Sequence, residues 1–109
     1  MRIAVIGSRK LHIDDLGKYL PDGVTEIISG GAKGIDADAR AYAQQHGVKL
    51  TELLPEYNRY GRAAPLRRNI TIIEHAELVL AFWDGSSPGT RFVIENCKKR
   101  GIPVNVFIL

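Results

Sequence analysis

Val24-Thr25-Glu26-Ile27-Ile28-Ser29-Gly30-Gly31-Ala32-Lys33-Gly34-Ile35-Asp36-Ala37-Asp38-Ala39-Arg40-Ala41-Tyr42-Ala43 is the stretch that decides the fold. Val24 to Ile28 has the β-branched content of a strand. Ile35, Ala39, Tyr42 and Ala43 then recur at the spacing of one amphipathic helix face, and Gly47 follows as a helix stop. A strand feeding a helix through a glycine-rich turn is half of a βαβ unit.

The same alternation runs outward in both directions. Upstream, Ile3 to Ile6 reads as a first strand, and Ile13, Leu16, Gly17 and Leu20 as a helix stopped by Pro21-Asp22-Gly23. Downstream, Val48 to Leu54 reads as a polar, edge-type third strand. Leu54 to Ala64 has no clear periodicity. Pro65 then suits a helix start, with Leu66, Ile70 and Ile73 as its buried stripe. Leu78 to Trp83 is almost wholly apolar, as a central strand covered on both faces should be. Ser87-Pro88 opens a last helix that buries Phe92, Val93 and Cys97, Gly101 ends it, and Pro103 to Leu109 is a fifth strand. The alternation predicts an α/β fold: a Rossmann-like, doubly wound parallel sheet of about five strands in the order 3-2-1-4-5, helices on both faces, one domain over 1–109.

Composition narrows the function classes. The 109 residues contain 45% hydrophobic and 25% charged side chains, which suits one globular core. No apolar run reaches membrane-spanning length, and Met1 to Gly7 reads as a strand rather than a signal peptide, so a cytoplasmic protein with no membrane partner is expected. The one cysteine, Cys97, excludes an internal disulfide and is expected to be buried packing. His12, His46 and His75 lack ligand spacing, so no metal site is expected. The net charge of +3 permits anionic partners without resembling a dedicated nucleic-acid arm.

Ligands of open parallel sheets bind outside the carboxyl ends of the strands. The residues at that rim are Gly7, Ser8 and Arg9 after the first strand and Ser29, Gly30, Gly31, Lys33, Gly34 and Asp36 after the second. Asp84, Gly85, Ser86, Gly89 and Thr90 follow the fourth. Glycines allow close approach of backbone to ligand, and helix N-termini and Lys33 suit a phosphate. Arg9, Arg67, Arg68 and Arg91 fall in loops or first helical turns, where guanidinium groups can grip phosphate. The glycines match neither the G-x-G-x-x-G dinucleotide pattern nor a P-loop. Tyr57, Arg59, Tyr60 and Arg62 could stack on a base and steer a phosphate, or simply cover a core edge.

Five segments together resemble the YspA/YpsA-like branch of the SLOG superfamily. They are Gly7-Ser8-Arg9, Ser29 to Asp36, Tyr60-Gly61-Arg62-Ala63-Ala64-Pro65 leading to Arg68-Asn69, Ala81 to Gly85, and Gly89-Thr90. That superfamily includes the lysine-decarboxylase-like phosphoribohydrolases and the DNA-processing protein A family. The resemblance spans essentially the whole chain. It implies a nucleotide or nucleotide derivative as ligand, held by Ser8, Arg9, Gly30, Gly31, Asp36, Arg68, Asn69, Gly89 and Thr90, with phosphate at the Gly-Thr loop, no required cofactor, and a homodimer. One departure decides what is not inherited. The phosphoribohydrolase pattern places Glu three residues after the Thr, whereas Val93 stands there in this chain and the next carboxylate is Glu95. The expected function is therefore a nucleotide-ligand sensor or carrier. A nucleotide hydrolase using Asp36 or Asp84, and a single-stranded nucleic-acid binder, are the alternatives.

Overall fold

The computed structural model describes residues Met1–Leu109. Five parallel strands form one sheet in the order β3-β2-β1-β4-β5: β1 Arg2–Gly7, β2 Glu26–Ser29, β3 Lys49–Glu52, β4 Leu78–Trp83 and β5 Val104–Ile108. The helices are α1 Ile35–His46, α2 Tyr57–Tyr60, α3 Ala64–His75 and α4 Pro88–Arg100. The expected order of strands is the observed one.

Period-two alternation divides the core between the two faces of the sheet. Ile3, Val5, Ile27, Leu80 and Phe82 point to one side, where Ile35, Ala39 and Ala43 of α1 cover them. Ala4, Ile6, Ile28, Val79 and Ala81 point to the other, under Ile72 and Ile73 of α3 and Val93, Ile94 and Cys97 of α4. The central strands β1 and β4 are therefore apolar on both sides. The Cys97 thiol is fully buried, and burial pushes its pKa up, as suits an inert packing group.

Three local expectations are corrected. The segment around Ile13 to Leu20 makes only a 3₁₀ turn, Leu16–Lys18. The Asp38 carboxylate accepts the Ile13 N–H at 2.8 Å, and Asp15 accepts the Gly17 N–H at 3.1 Å. The Asp15 bond takes the Gly17 amide that a helix would use, and Gly17 lowers helix propensity further. The aperiodic stretch after β3 contains α2 and a 3₁₀ turn, Gly61–Ala63, because the Arg59 and Tyr60 amides both close onto the Glu56 carbonyl. On α3, Leu66 is exposed, and Ala64, Ile72 and Ile73 form the buried face in its place. No helix of the protein is long and apolar enough to cross a membrane.

Candidate functional site

At the carboxyl ends of β1, β2 and β4 the turns converge on one hollow of about 540 Å³. That volume lies within the usual range of small-molecule sites, roughly 300–1,000 Å³. The doubly wound order explains the position. The chain leaves β1 toward β2 on one side and returns to β4 on the other, so adjacent strand ends diverge there.

Each wall comes from a different element. The β1 turn contributes Gly7, Ser8, Arg9 and Lys10; the β2 turn and α1 contribute Gly30, Ala32 and Asp36. The start of α3 contributes Pro65, Arg68 and Asn69, while the β4 turn and α4 contribute Asp84, Ser86, Ser87, Gly89 and Thr90. Ile6, Ile72 and Val93 give the hollow its apolar part. Lys10, Pro65 and Ser87 are not among the expected site residues: the sequence marks Pro65 and Ser87 as helix starts, and Lys10 adjoins Arg9 in the same basic turn.

Other residues expected at the rim stand apart from this hollow. Ser29 lies fully buried, outside its lining. Gly31, Lys33 and Gly34 face a shallower depression shared with Arg9, His12 and Arg40. Gly85 sits in open surroundings at the tip of its turn. Of the aromatic loop, Tyr57 is exposed, whereas the Tyr60 ring carries the guanidinium groups of Arg59 and Arg67 at 5.0 and 5.1 Å. Arg91 lies 5.5 Å over the Trp83 ring, outside the lining.

Arg68 organises one side. Its Nη1 donates to the carbonyls of Gly30 at 2.7 Å and Leu53 at 3.2 Å, and its Nε donates to Asn69 Oδ1 at 2.8 Å. Glycine at position 30 permits this. A Cβ there would stand 2.7 Å from Arg68 Nη1 and 2.9 Å from Asp36 Oδ2. Burial pulls the Arg68 pKa down, and the nearby Asp36 charge opposes it. Arg9 is exposed and makes no ion pair, so its charge is available at the rim.

The two carboxylates differ in kind. Asp84 Oδ1 accepts the amides of Ser86 and Ser87 at 2.9 and 2.7 Å, and Oδ2 accepts the Ser87 hydroxyl at 2.7 Å. Those bonds hold its carboxyl far below the usual carboxylate range. Asp84 is thus a fixed anion that shapes the turn before α4, and it does not suit the proton-donor role considered for it. The Ser87 hydroxyl is consequently spent on Asp84, and α4 begins with no side-chain cap.

Asp36 is buried, with 7% exposure. Burial pushes its carboxyl up, while the Ala32 N–H at 3.1 Å and the Arg68 charge oppose the shift. A carboxyl raised in this way contributes stability that is fully present below its unfolded pKa and is lost as pH rises through the folded one. At neutral pH the ionised form therefore costs stability. Asp36→Asn is expected to be more stable than the wild type near neutral pH, with the difference closing in acid. Urea denaturation at several pH values measures it, and a less stable variant at neutral pH would contradict the sign.

The buried polar residues of the protein are Ser8, Ser29, Asp36 and Thr90, and all stand at this one rim. Buried polar groups are normally paired. Ser8 Oγ accepts only a long 3.4 Å bond from the Asp84 amide and donates to no protein group. The Thr90 hydroxyl, in a residue 5% exposed, has no protein partner and lines the hollow. The Ser29 hydroxyl lies close enough to Asp36 to lower its pKa but has no partner at hydrogen-bonding geometry.

Comparison with curated proteins finds the Gene 61 protein of Mycobacterium phage D29, 37% identical over 87 residues that cover 72% of this chain and 67% of that protein. The chain belongs to the family of this phage protein. No family model matches the sequence, and no solved structure gives a significant match. The name of the phage relative states no activity, so function rests on the geometry of the hollow.

Proposed function

We propose that the protein is a SLOG-type binder of a nucleotide or nucleotide derivative, acting as a sensor or carrier, with the ligand's phosphate at the start of α4. One observation carries the reading: the protein's buried polar side chains gather at a single rim, and Ser8, Asp36 and Thr90 keep hydrogen-bonding capacity that contents of the hollow would meet. The uncapped first turn of α4, with Gly89 and Thr90, offers amide groups and a positive dipole end to an anion. Arg9, Lys10 and Arg68 add positive charge around it. The homodimer implied by the SLOG resemblance belongs to the same proposal.

Calorimetric titration with AMP, ADP, ADP-ribose and NAD tests the reading. At least one is expected to bind, and Thr90→Val, which removes a hydroxyl at nearly constant volume, is expected to weaken that binding about 2- to 10-fold without unfolding the protein. Folded protein that binds none of the four at millimolar concentration would overturn the proposal.

A second reading has one observation in its favour. Asp36 is a carboxyl raised by burial that faces the same hollow, as a proton-transfer group in nucleotide hydrolysis would be. Val93 stands 2% exposed in the wall where the phosphoribohydrolases carry their glutamate, so Asp36 would act without it. Chromatography of nucleotides incubated with wild type and Asp36→Asn separates the readings: product formed only by the wild type would establish catalysis.

A further inference from the structure

The sheet ends in two unlike edges. At one edge β3 has four residues, Lys49–Glu52, and its charged ends are ion-paired, Lys49 with Glu26 and Glu52 with Arg40. Short, charged edges resist pairing with a further strand. At the other edge β5 reads Val104-Asn105-Val106-Phe107-Ile108, without a charge, a glycine or a proline. Pro103 stands just before it and turns its carbonyl inward, to the Val79 N–H at 2.9 Å. The Leu109 N–H also turns inward, to the Trp83 carbonyl at 3.0 Å. Successive residues of a strand turn their peptide groups to opposite sides, so Val104, Val106 and Ile108 each point an N–H and a C=O away from β4. The side chains of the same three residues share one face of the sheet, where Val104 packs on the core beneath α3 and α4. On that face Val106 is 38% and Ile108 68% exposed.

We infer that β5 is a pairing edge for a second copy of this chain, joined antiparallel about a two-fold axis at Val106. The strand is complementary to itself in that register. Val106 pairs with its own copy and Val104 with Ile108 of the partner subunit, so every outward N–H meets a C=O. The cross-strand neighbours on the exposed face are then apolar and β-branched, which favours the pair. No like charges oppose one another within the strand pair, although the chain carries +3 overall. The assembly closes at two copies because the charged β3 edge stays guarded. The pairing gives the homodimer of the proposed function its surface, but it stands on β5 alone and is independent of the ligand. Antiparallel joining sends the carboxyl ends of the two sets of strands in opposite directions, so each copy keeps its own hollow complete.

Sedimentation equilibrium tests the inference. A pair of strands this short buries less than the roughly 800 Å² per partner of a standard interface, so a dissociation constant of about 1–100 μM is expected. Across that range monomer should pass to dimer and stop there. Val106→Lys and Val106→Glu each set like charges against one another at the axis, and each should weaken the dimer at least tenfold. Mixed in equal amounts the two variants should pair, because position 106 faces its own copy. Hydrogen exchange of the wild type decides the matter if either variant fails to fold. The Val104, Val106 and Ile108 amides should gain protection as concentration rises, while the Phe107 amide, which faces β4, should not. A wild type that stays monomeric would leave the edge to a foreign strand and overturn the inference. Growth into ever larger assemblies, a dimer indifferent to Val106→Lys, no pairing in the mixture, or no gain of protection at the three amides would overturn it too. Val106 lies outside the lining of the hollow, so folded Val106→Lys should bind nucleotide as the wild type does, and the ligand reading stands or falls separately.

Discussion

Gly34→Ala is expected to be among the most destabilising single substitutions in this protein. Gly34 has φ +70° and ψ −123°, a backbone region that only glycine enters without strain. A Cβ there would also collide with the Arg9 carbonyl oxygen and stand 2.8 Å from the Ser8 carbonyl oxygen. The turn that carries them is held at Ser8, whose N–H is tied to the Phe82 carbonyl at 3.1 Å and whose carbonyl accepts the Leu11 N–H at 3.2 Å. Strain and overpacking together should cost roughly 2–6 kcal/mol. For a domain of this size that lowers Tm by roughly 10–25 °C. Gly85→Ala is the informative partner. Gly85 also has positive φ, at +87°, but nothing lies within 4 Å of its added Cβ, so it bears only the backbone term, about 1 kcal/mol. Thermal denaturation followed by circular dichroism compares them. Equal Tm values for the two variants would show that the packing of the α1 entry against the β1 turn does not matter.

The second large effect is expected on binding. In Arg68→Met the aliphatic stem remains, but the Gly30 and Leu53 carbonyls and Asn69 Oδ1 lose their donors, and Asp36 loses its opposing charge. Arg68 Nη2 makes no protein hydrogen bond, and a charge-assisted bond from it to a phosphate is worth about 1.5–3 kcal/mol, so affinity for a nucleoside monophosphate should fall roughly 10- to 150-fold. Arg68→Lys keeps the charge but cannot reproduce three directed bonds, and should recover only part of the loss. The Asp36 carboxyl should also titrate at higher pH in Arg68→Met, observable by NMR. Retention of wild-type affinity by the Met variant, with the protein folded, would remove Arg68 from the site.

How much of this was legible in advance follows from which interactions are local. The strand order could be read because the apolar runs Ile3 to Ile6 and Leu78 to Trp83, separated by helical patterns, leave few right-handed arrangements. The helix expected across Ile13 to Leu20 shrinks to a 3₁₀ turn because Asp15 takes the Gly17 amide, while the entry to the segment is anchored by Asp38, far along the chain, at the Ile13 amide; no window around Ile13 contains that anchor. Leu66 was misplaced for a related reason. The face of α3 that meets the sheet is set by how the helix docks, and its pattern admits a stripe through Leu66 as readily as one through Ile72.

The site divides along the same line. By itself the sequence determined the fold class and the rim at which the glycine-rich turns gather, because strands, turns and helix starts are specified by neighbouring residues. Only the tertiary structure decided which rim residues share a hollow. Gly30 and Asp36 enter it while Gly31, Lys33 and Gly34 turn away, and Asp84 and Asp36 part into a fixed anion and a buried carboxyl. Burial and hydrogen bonding set those distinctions, and both depend on groups brought together from β1, β2, α3 and β4 across long stretches of chain.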